Sequence, residues 1–158
     1  MTQIILATSS QHRIKAFQTL GIPFIAETSN VDENHESRPN SPEELVLHLA
    51  KLKAEAVAQN HKEGIVIGFD SVGYYNQVIL EKPKSRGEAE KRLQMLSGKE
   101  LWYFTGVHLI NIANKTTKTT VVKTKIRIRM ITNEEIKKYL DQDSSYITYA
   151  LGFHPSLF

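Results

Sequence analysis

Asp70 occupies a position where an acidic side chain can take part in chemistry. It follows the apolar run Gly-Ile-Val-Ile-Gly-Phe at residues 64–69, a pattern typical of a central β-strand covered on both faces. In open α/β sheets, ligands bind beyond the carboxyl ends of the strands, and we expect Asp70 to end such a strand. A carboxylate there can hold Mg²⁺ or accept a proton from water. The alternative is an aspartate that caps a turn before Ser71.

A turn rich in hydroxyl groups leads from the first predicted strand into the first predicted helix. Its sequence, Ala-Thr-Ser-Ser-Gln-His-Arg at residues 7–13, combines the hydroxyls of Ser9 and Ser10 with the unpaired N–H groups of a helix N-terminus. Arg13 can offer a fork of N–H donors to phosphate oxygens. The pattern predicts an anion site, although Ser and Thr also cap helices that bind nothing.

Two lysines and a second acidic residue complete the chemical inventory. Lys53 lies near the apolar stripe of a predicted helix, so its ammonium either extends along apolar surface to solvent or points into a site. Lys82 precedes Pro83, whose restricted backbone would aim the ammonium group; the alternative is a charged turn. Glu33 belongs to the acidic Val-Asp-Glu segment at residues 31–33, for which solubility is the alternative.

Helix caps and apolar runs predict the elements that position these side chains. Capping boxes, in which Ser or Thr precedes Glu by three residues, mark helix starts at Ser41, Ser85 and Thr132. In chain order we expect a strand at 3–7, a helix ending at Gly21, an extended segment at 22–26, a loop at 30–40, a helix from Pro42, a strand at 64–70, a short hairpin, a helix ending near Ser97, two long strands at 101–113 and 119–131, and a helix through Leu140.

This order predicts the α/β class, with a mixed sheet flanked by helices and a cleft at the strand ends. A length of 158 residues suggests one domain, at most two small lobes. We expect an apolar face on each of the first three helices. The faces consist of Ile14, Phe17 and Leu20 on the first helix, Leu45, Leu49, Leu52 and Ala56 on the second, and Ala89, Leu93 and Leu96 on the third.

Composition excludes several classes of protein. The hydrophobic fraction of 41% allows a real core and argues against disorder, collagen and coiled coil. No apolar run approaches the ~20 residues of a membrane helix, and no basic segment precedes the first apolar run, so we expect a cytoplasmic protein. The chain has no cysteine and its histidines lack metal-ligand spacing, so disulfides, cysteine nucleophiles and zinc sites are not expected.

The formal net charge of +3 comes from one segment. Residues 101–133 carry no acidic side chain, and Lys123, Lys125, Arg127 and Arg129 alternate there with apolar or hydroxyl-bearing residues. The period of two indicates a strand with one buried and one solvated face. A nucleic-acid surface is the alternative, but aromatic residues for base stacking do not interleave with the charges, so nucleic acid is not expected as a partner.

Taken together, the motifs resemble those of one family. Residues 5–13 (ILATSSQHR), Val-Asp-Glu at 31–33, SPEELVLHLAKLKAEA at 41–56, VIGFDSV at 66–72, LEKPK at 80–84 and LSGKELWYFTGV at 96–107 are similar to the Maf family in order and spacing. The resemblance covers residues 3–140. It implies a nucleoside triphosphate pyrophosphatase related in fold to inosine triphosphate pyrophosphatases. Such enzymes cleave dTTP, UTP, CTP or modified nucleotides such as 7-methylguanosine triphosphate between the α and β phosphates, with a divalent metal.

The resemblance assigns roles to the candidate residues. It implies that Ser9, Ser10 and Arg13 bind the triphosphate, and that the cations of Lys53 and Lys82 face the phosphates and serve in catalysis. It also implies that the carboxylates of Glu33 and Asp70 hold Mg²⁺ or Mn²⁺, with Asp70 catalytic. This inventory suits phosphate chemistry, which needs fixed cations and a metal around developing charge.

The chain departs from the family pattern in three places. Gln11-His12-Arg13 replaces the usual Pro-Arg-Arg, so one cation is lost above pH ~6.5. Phe69 replaces the usual alanine before the acid. Residues 144–158 replace a Gly-rich segment that contains a glutamine, followed by a strand and a helix.

We therefore expect a single Maf-like domain over residues 1–158, truncated relative to the family. The C-terminal apolar side chains are expected to be covered by self-association into a homodimer. These are Tyr146, Ile147, Tyr149, Leu151, Phe153, Leu157 and Phe158. The alternative to an active pyrophosphatase is a non-catalytic nucleotide-binding protein.

Overall fold

The computed structural model describes residues 2–34 and 37–154, and over these ranges the chain forms a mixed α/β fold, as predicted. The elements are β1 Ile4–Ala7, α1 Gln11–Gln18, β2 Phe24–Glu27, α2 Pro42–Ala58, β3 Ile65–Tyr75, β4 Val78–Leu80, α3 Arg86–Leu96, β5 Glu100–Asn111, β6 Thr116–Arg127, α4 Asn133–Gln142 and a short 3₁₀ helix Ser144–Thr148.

The strands form one sheet in the order β2-β1-β3-β5-β6, with β4 paired to β3. β1 runs parallel to both β2 and β3, and its last residue, Ala7, pairs with Gly68. β3 continues beyond that pair to Tyr75 and turns into the antiparallel β4. Asp70 therefore lies inside a long strand, two residues past the last pair with β1.

The prediction that Asp70 ends its strand is wrong for this reason, and so is the alternative of a turn cap before Ser71. The residues after Asp70 remain extended because they lead into the hairpin with β4. That hairpin turns at Asn76 and Gln77, which both adopt positive φ angles (47° and 63°), as a two-residue hairpin loop of this type requires. Asp70 still lies beyond the carboxyl end of the neighbouring strand β1.

The chain divides into two compact units. Among the described residues, the first unit comprises 2–34, 37–70 and 105–122, and the second comprises 71–104 and 123–154. The first unit has an apolar cluster made by Ile5, Ala7, Ala54, Val57 and Val66. The larger cluster of the second unit consists of Leu80, Ala89, Leu93, Leu96, Leu101, Ile128, Ile131, Ile136, Tyr139, Leu140, Leu151 and Phe153.

Helix α2 begins as the sequence predicts. The Ser41 hydroxyl accepts a hydrogen bond from the backbone N–H of Glu44, and Pro42 occupies the first turn. The buried stripe differs from the prediction, because Leu52 and Ala56 are only half-buried. The residues buried on α2 are Leu45, Val46, Leu49, Ala50, Lys53, Ala54 and Val57. Lys53 thus lies on the packed face of the helix rather than beside it.

Two glycines allow α2 to approach the sheet closely. A Cβ atom on Gly68 of β3 would lie 2.1 Å from the backbone oxygen of Ala50, and one on Gly106 of β5 would lie 2.3 Å from that of Val46. Neither distance is possible for a real side chain. No sequence motif marks these glycines as important, yet they set the separation between Lys53 and the strand that carries Asp70.

Helix α1 and the C-terminal apolar side chains differ from their predictions. Helix α1 has no buried residue: Ile14 and Phe17 are half-buried, and Leu20 is exposed. Leu151 and Phe153 are buried in the core of the second unit. The prediction that they need a partner chain to cover them is therefore wrong. Leu157 and Phe158, which entered the same argument, lie outside the described residues.

The basic strand β6 is exposed along most of its length. Lys125 and Arg127 pair with Glu100, and Arg129 pairs with Glu135. The ammonium of Lys123 lies 5.5 Å from the centre of the Phe104 ring. The basic side chains of this segment are therefore exposed to solvent, and several of them form ion pairs. None of the helices described is long and apolar enough to cross a membrane.

Candidate active site

A lysine held between two carboxylates forms the centre of the candidate site. The Nζ atom of Lys53 lies 2.6 Å from Oδ1 of Asp70 and 3.0 Å from Oε1 of Glu33. Lys53 comes from α2, Asp70 from β3, and Glu33 from the segment that follows β2. Lys53 and Asp70 are only 8% and 7% exposed. Three predicted residues that are distant in sequence are thus brought together in the first unit.

The burial of Asp70 changes its acidity. Loss of solvent raises the pKa of the Asp70 carboxyl above its ordinary value, and the nearby Lys53 ammonium partly offsets that rise. The charge of Glu33 raises the same pKa further, and the charge of Arg13 lowers it. A raised pKa makes Asp70 a stronger base than an ordinary aspartate once it is ionised.

Arg13 lies close to the residue that precedes Asp70. Its Nη1 atom donates a hydrogen bond to the backbone oxygen of Phe69 at 3.5 Å, and its Cζ atom lies 5.7 Å from the centre of the Phe69 ring. Because its charge also acts on Asp70, the guanidinium belongs to the electrostatic environment of the carboxylate–lysine cluster.

The hydroxyl-rich turn occupies the N-terminus of α1 without capping it in the usual way. Ser10 is the N-cap residue, but its side chain makes no capping bond, and Ser9 is exposed. The backbone N–H of Ser10 donates instead to the hydroxyl of the buried Thr8 at 3.1 Å. The hydroxyl-rich turn therefore lies at the positive end of α1, where helices commonly bind anions.

Lys82 belongs to the second unit, where it follows β4 and is exposed. The neighbouring Pro83 is buried, which anchors the backbone next to Lys82. The cluster assembled in the first unit consists of Glu33, Lys53 and Asp70, with Arg13 acting on it electrostatically.

The donor set fits a hard divalent cation. Glu33 and Asp70 both direct a carboxylate oxygen toward one point, which the Lys53 ammonium occupies. Mg²⁺ is commonly held by one or two carboxylates together with substrate phosphates, and a fully protein-made cage is not needed. Within residues 2–34 and 37–154, no three acidic or histidine side chains gather as metal ligands. Water and phosphate oxygens are the ligands that commonly complete the shell of Mg²⁺ beside one or two carboxylates.

Gly68→Ala is expected to disturb this site and the fold together. The added methyl group would meet the backbone of α2, and such overpacking costs about 1–3 kcal/mol, or roughly 2–12 °C in Tm. Because relief requires α2 to move away, Lys53 should separate from Asp70 and turnover should fall. Gly87→Ala is the matched control, since a Cβ there meets nothing within 4 Å. Equal melts for the two variants would contradict the close approach.

The fold has a counterpart among solved structures. The Staphylococcus aureus Ham1 protein superposes with a TM-score of 0.51 at 18% identity, covering 79% of this chain and 71% of that one. At this identity the likeness concerns the fold alone. The chain thus has the Ham1-like α/β fold, with a buried carboxylate–lysine cluster on it.

Sequence similarity identifies the family, which the likeness of fold does not. A family model described as "Maf-like protein" matches residues 3–154, and the chain belongs to this family. A Bacillus anthracis protein named "dTTP/UTP pyrophosphatase" is 38% identical over 92% of this chain and 78% of its own length. A Nitrosospira multiformis protein named "7-methyl-GTP pyrophosphatase" is 34% identical, with coverages of 91% and 72%.

Proposed function

We propose that the Glu33–Lys53–Asp70 cluster is the catalytic centre of a nucleoside triphosphate pyrophosphatase. The chain belongs to a family whose similar members carry the names of nucleotide pyrophosphatases, and it is an enzyme of this class. It hydrolyses a nucleoside triphosphate to the monophosphate and pyrophosphate. The observation that carries the assignment of the centre is the buried lysine between two carboxylates.

The reaction needs one proton acceptor and several cations. Water adds to a phosphorus atom of the α–β linkage, the P–O bond of that linkage breaks, and the proton of the water is transferred to a base. Asp70 is the base in this proposal, because its carboxylate lies buried at the centre of the cluster and a carboxylate can accept the proton of a water molecule. The remaining groups stabilise charge on the phosphate oxygens, which is the main demand of phosphoryl transfer.

The cationic and hydroxyl groups divide the triphosphate between them in this proposal. Arg13, Ser9 and Ser10 at the N-terminus of α1 bind phosphate oxygens. Lys53 neutralises the charge that develops as the linkage breaks, and the family resemblance assigns a phosphate-facing role to Lys82 as well. Glu33 and Asp70 would hold Mg²⁺ or Mn²⁺, which when bound supplies positive charge to the triphosphate. A cytoplasmic location and a homodimer remain predictions from the sequence.

Release of pyrophosphate from a nucleotide panel tests the proposal. The panel contains dTTP, UTP, CTP and 7-methylguanosine triphosphate, each with Mg²⁺ or Mn²⁺, and the nucleotide product is identified by chromatography. We expect equal amounts of monophosphate and pyrophosphate from at least one substrate. Binding of nucleotides without turnover would favour the non-catalytic alternative, and release of inorganic phosphate alone would contradict cleavage between the α and β phosphates.

Lys82→Ala is expected to lower kcat/KM by about thirty- to a thousandfold, the effect of removing one fixed donor from a transition-state site. The exposed side chain leaves no cavity when it is shortened, so the melting temperature should not change. Lys84→Ala, at another exposed lysine two residues further on, provides the control. Unchanged kinetics in a folded Lys82→Ala protein would remove Lys82 from the site.

A further inference from the structure

The bulky residue beside the acid faces away from the carboxylate–lysine cluster. Successive side chains of a strand point to opposite faces of the sheet. Gly68 and Asp70 both face α2, since the first approaches its backbone and the second pairs with its Lys53. Phe69 faces α1 instead, where its ring meets that of Phe17 at 5.7 Å and an angle of 69°.

Two residues of α1 enclose the Phe69 ring. Arg13 and Phe17 are four positions apart and so share one face of the helix. The Arg13 Cζ atom lies 5.7 Å from the ring centre, within the range of cation–π attraction. The same guanidinium donates to the Phe69 backbone oxygen at 3.5 Å. Residue 69 therefore holds Arg13 through both its ring and its carbonyl.

Phe17 packs against the Phe69 ring and links it to a third aromatic residue, Phe24. Phe17 makes an edge contact with Phe69 on one side and with Phe24 of β2 on the other, at 5.7 and 5.8 Å. A ring supported in this way presents one surface to the guanidinium. A planar guanidinium can stack on an aromatic ring and also bind phosphate oxygens through the N–H groups in its plane, a combination that an ammonium could not match.

We propose that Phe69 is a positioning residue that holds the Arg13 guanidinium for the triphosphate. The inference rests on the proposed function, because the role of Arg13 as a phosphate donor comes from it. Phe69 acts only through Arg13 and does not touch the substrate. Its contribution is made to binding in the ground state and the transition state alike, so it affects KM more than kcat.

The test compares Phe69→Leu, which keeps apolar bulk without a π face, with Phe69→Tyr, which keeps the ring. We expect Phe69→Leu to raise KM for the best nucleotide about three- to tenfold, with kcat within about twofold of wild type. We expect Phe69→Tyr to have the KM of the wild-type protein. In an Arg13→Ala background, Phe69→Leu should have no further effect on KM, because the group it positions is absent.

Phe24→Leu serves as the control, since it shortens the aromatic row without touching the ring that contacts Arg13. It should change KM much less than Phe69→Leu does, because Phe24 reaches the Phe69 ring only through Phe17. Three results would overturn the proposal. They are a wild-type KM in Phe69→Leu, a KM in Phe69→Tyr as high as in Phe69→Leu, and additive effects of Phe69→Leu and Arg13→Ala on KM.

The positioning role of Phe69 can be tested even if the proposed pyrophosphatase activity is absent. If the wild-type protein turns over no nucleotide, the same series is measured by calorimetric binding of a non-hydrolysable α,β-imido UTP. A loss of affinity in Phe69→Leu that Phe69→Tyr reverses then supports the positioning role without the activity. Binding that is indifferent to residue 69 overturns the role, and absence of binding overturns both.

Discussion

Asp70→Asn is expected to abolish most pyrophosphatase turnover, with kcat reduced at least a hundredfold. Asparagine keeps the size of the side chain and one oxygen acceptor but can neither take the proton from water nor contribute a full negative charge to a divalent cation. Dependence of the residual rate on Mg²⁺ concentration should weaken for the same reason. The measurement is steady-state kinetics at several Mg²⁺ concentrations beside the wild-type protein.

The fold should tolerate this substitution. Burial raises the pKa of Asp70, which means that its negative charge costs folding free energy, and Asn removes that cost. The buried Lys53 ammonium retains Glu33 at 3.0 Å. We expect a net loss of about 1–2 kcal/mol, or roughly 2–8 °C in Tm. Asp32→Asn, at an exposed acid next to Glu33, controls for the substitution. Wild-type turnover in Asp70→Asn would end the proposed mechanism.

Local signals predicted the elements well. The caps at Ser41, Ser85 and Thr132 begin α2, α3 and α4 as the sequence indicated, because a cap depends on residues three positions apart. The extent of β3 could not be obtained in this way. Its continuation past Asp70 depends on the antiparallel pairing with β4, and a pairing partner is not visible in the period of a single strand.

The candidate site was predictable by residue type rather than by contact. The sequence indicates Lys53 as a candidate because it lies near an apolar stripe of its helix. In the structure Lys53 lies within the buried face, at helical spacing from Leu49, Ala50 and Val57, whereas the expected Leu52 and Ala56 are only half-buried. What the sequence could not show is the Gly68 contact that brings α2 close enough for Lys53 to reach Asp70. Such an approach depends on the packing of distant segments.

Lys53→Met should separate two roles of the lysine by opposite effects. Turnover should fall by about thirty- to a thousandfold, since a cation that faces the phosphates is lost. Affinity for Mn²⁺ alone, without nucleotide, should rise by about ten- to a hundredfold. The reason is that the ammonium now occupies the point toward which Glu33 and Asp70 direct their oxygens, and unit charges at such distances interact by several kcal/mol.

Mn²⁺ binding is followed by electron paramagnetic resonance, which needs no turnover. Lys51→Met provides the matched control: it lies on the same helix, but its exposed ammonium pairs only weakly with Glu55, at 3.8 Å. It should change neither Mn²⁺ affinity nor turnover. If Lys53→Met bound Mn²⁺ no more tightly than wild type, the two carboxylates would not form the cation site. If it retained full turnover, Lys53 would serve only to neutralise Asp70 and Glu33, because a group that stabilises the transition state cannot be removed without lowering the rate.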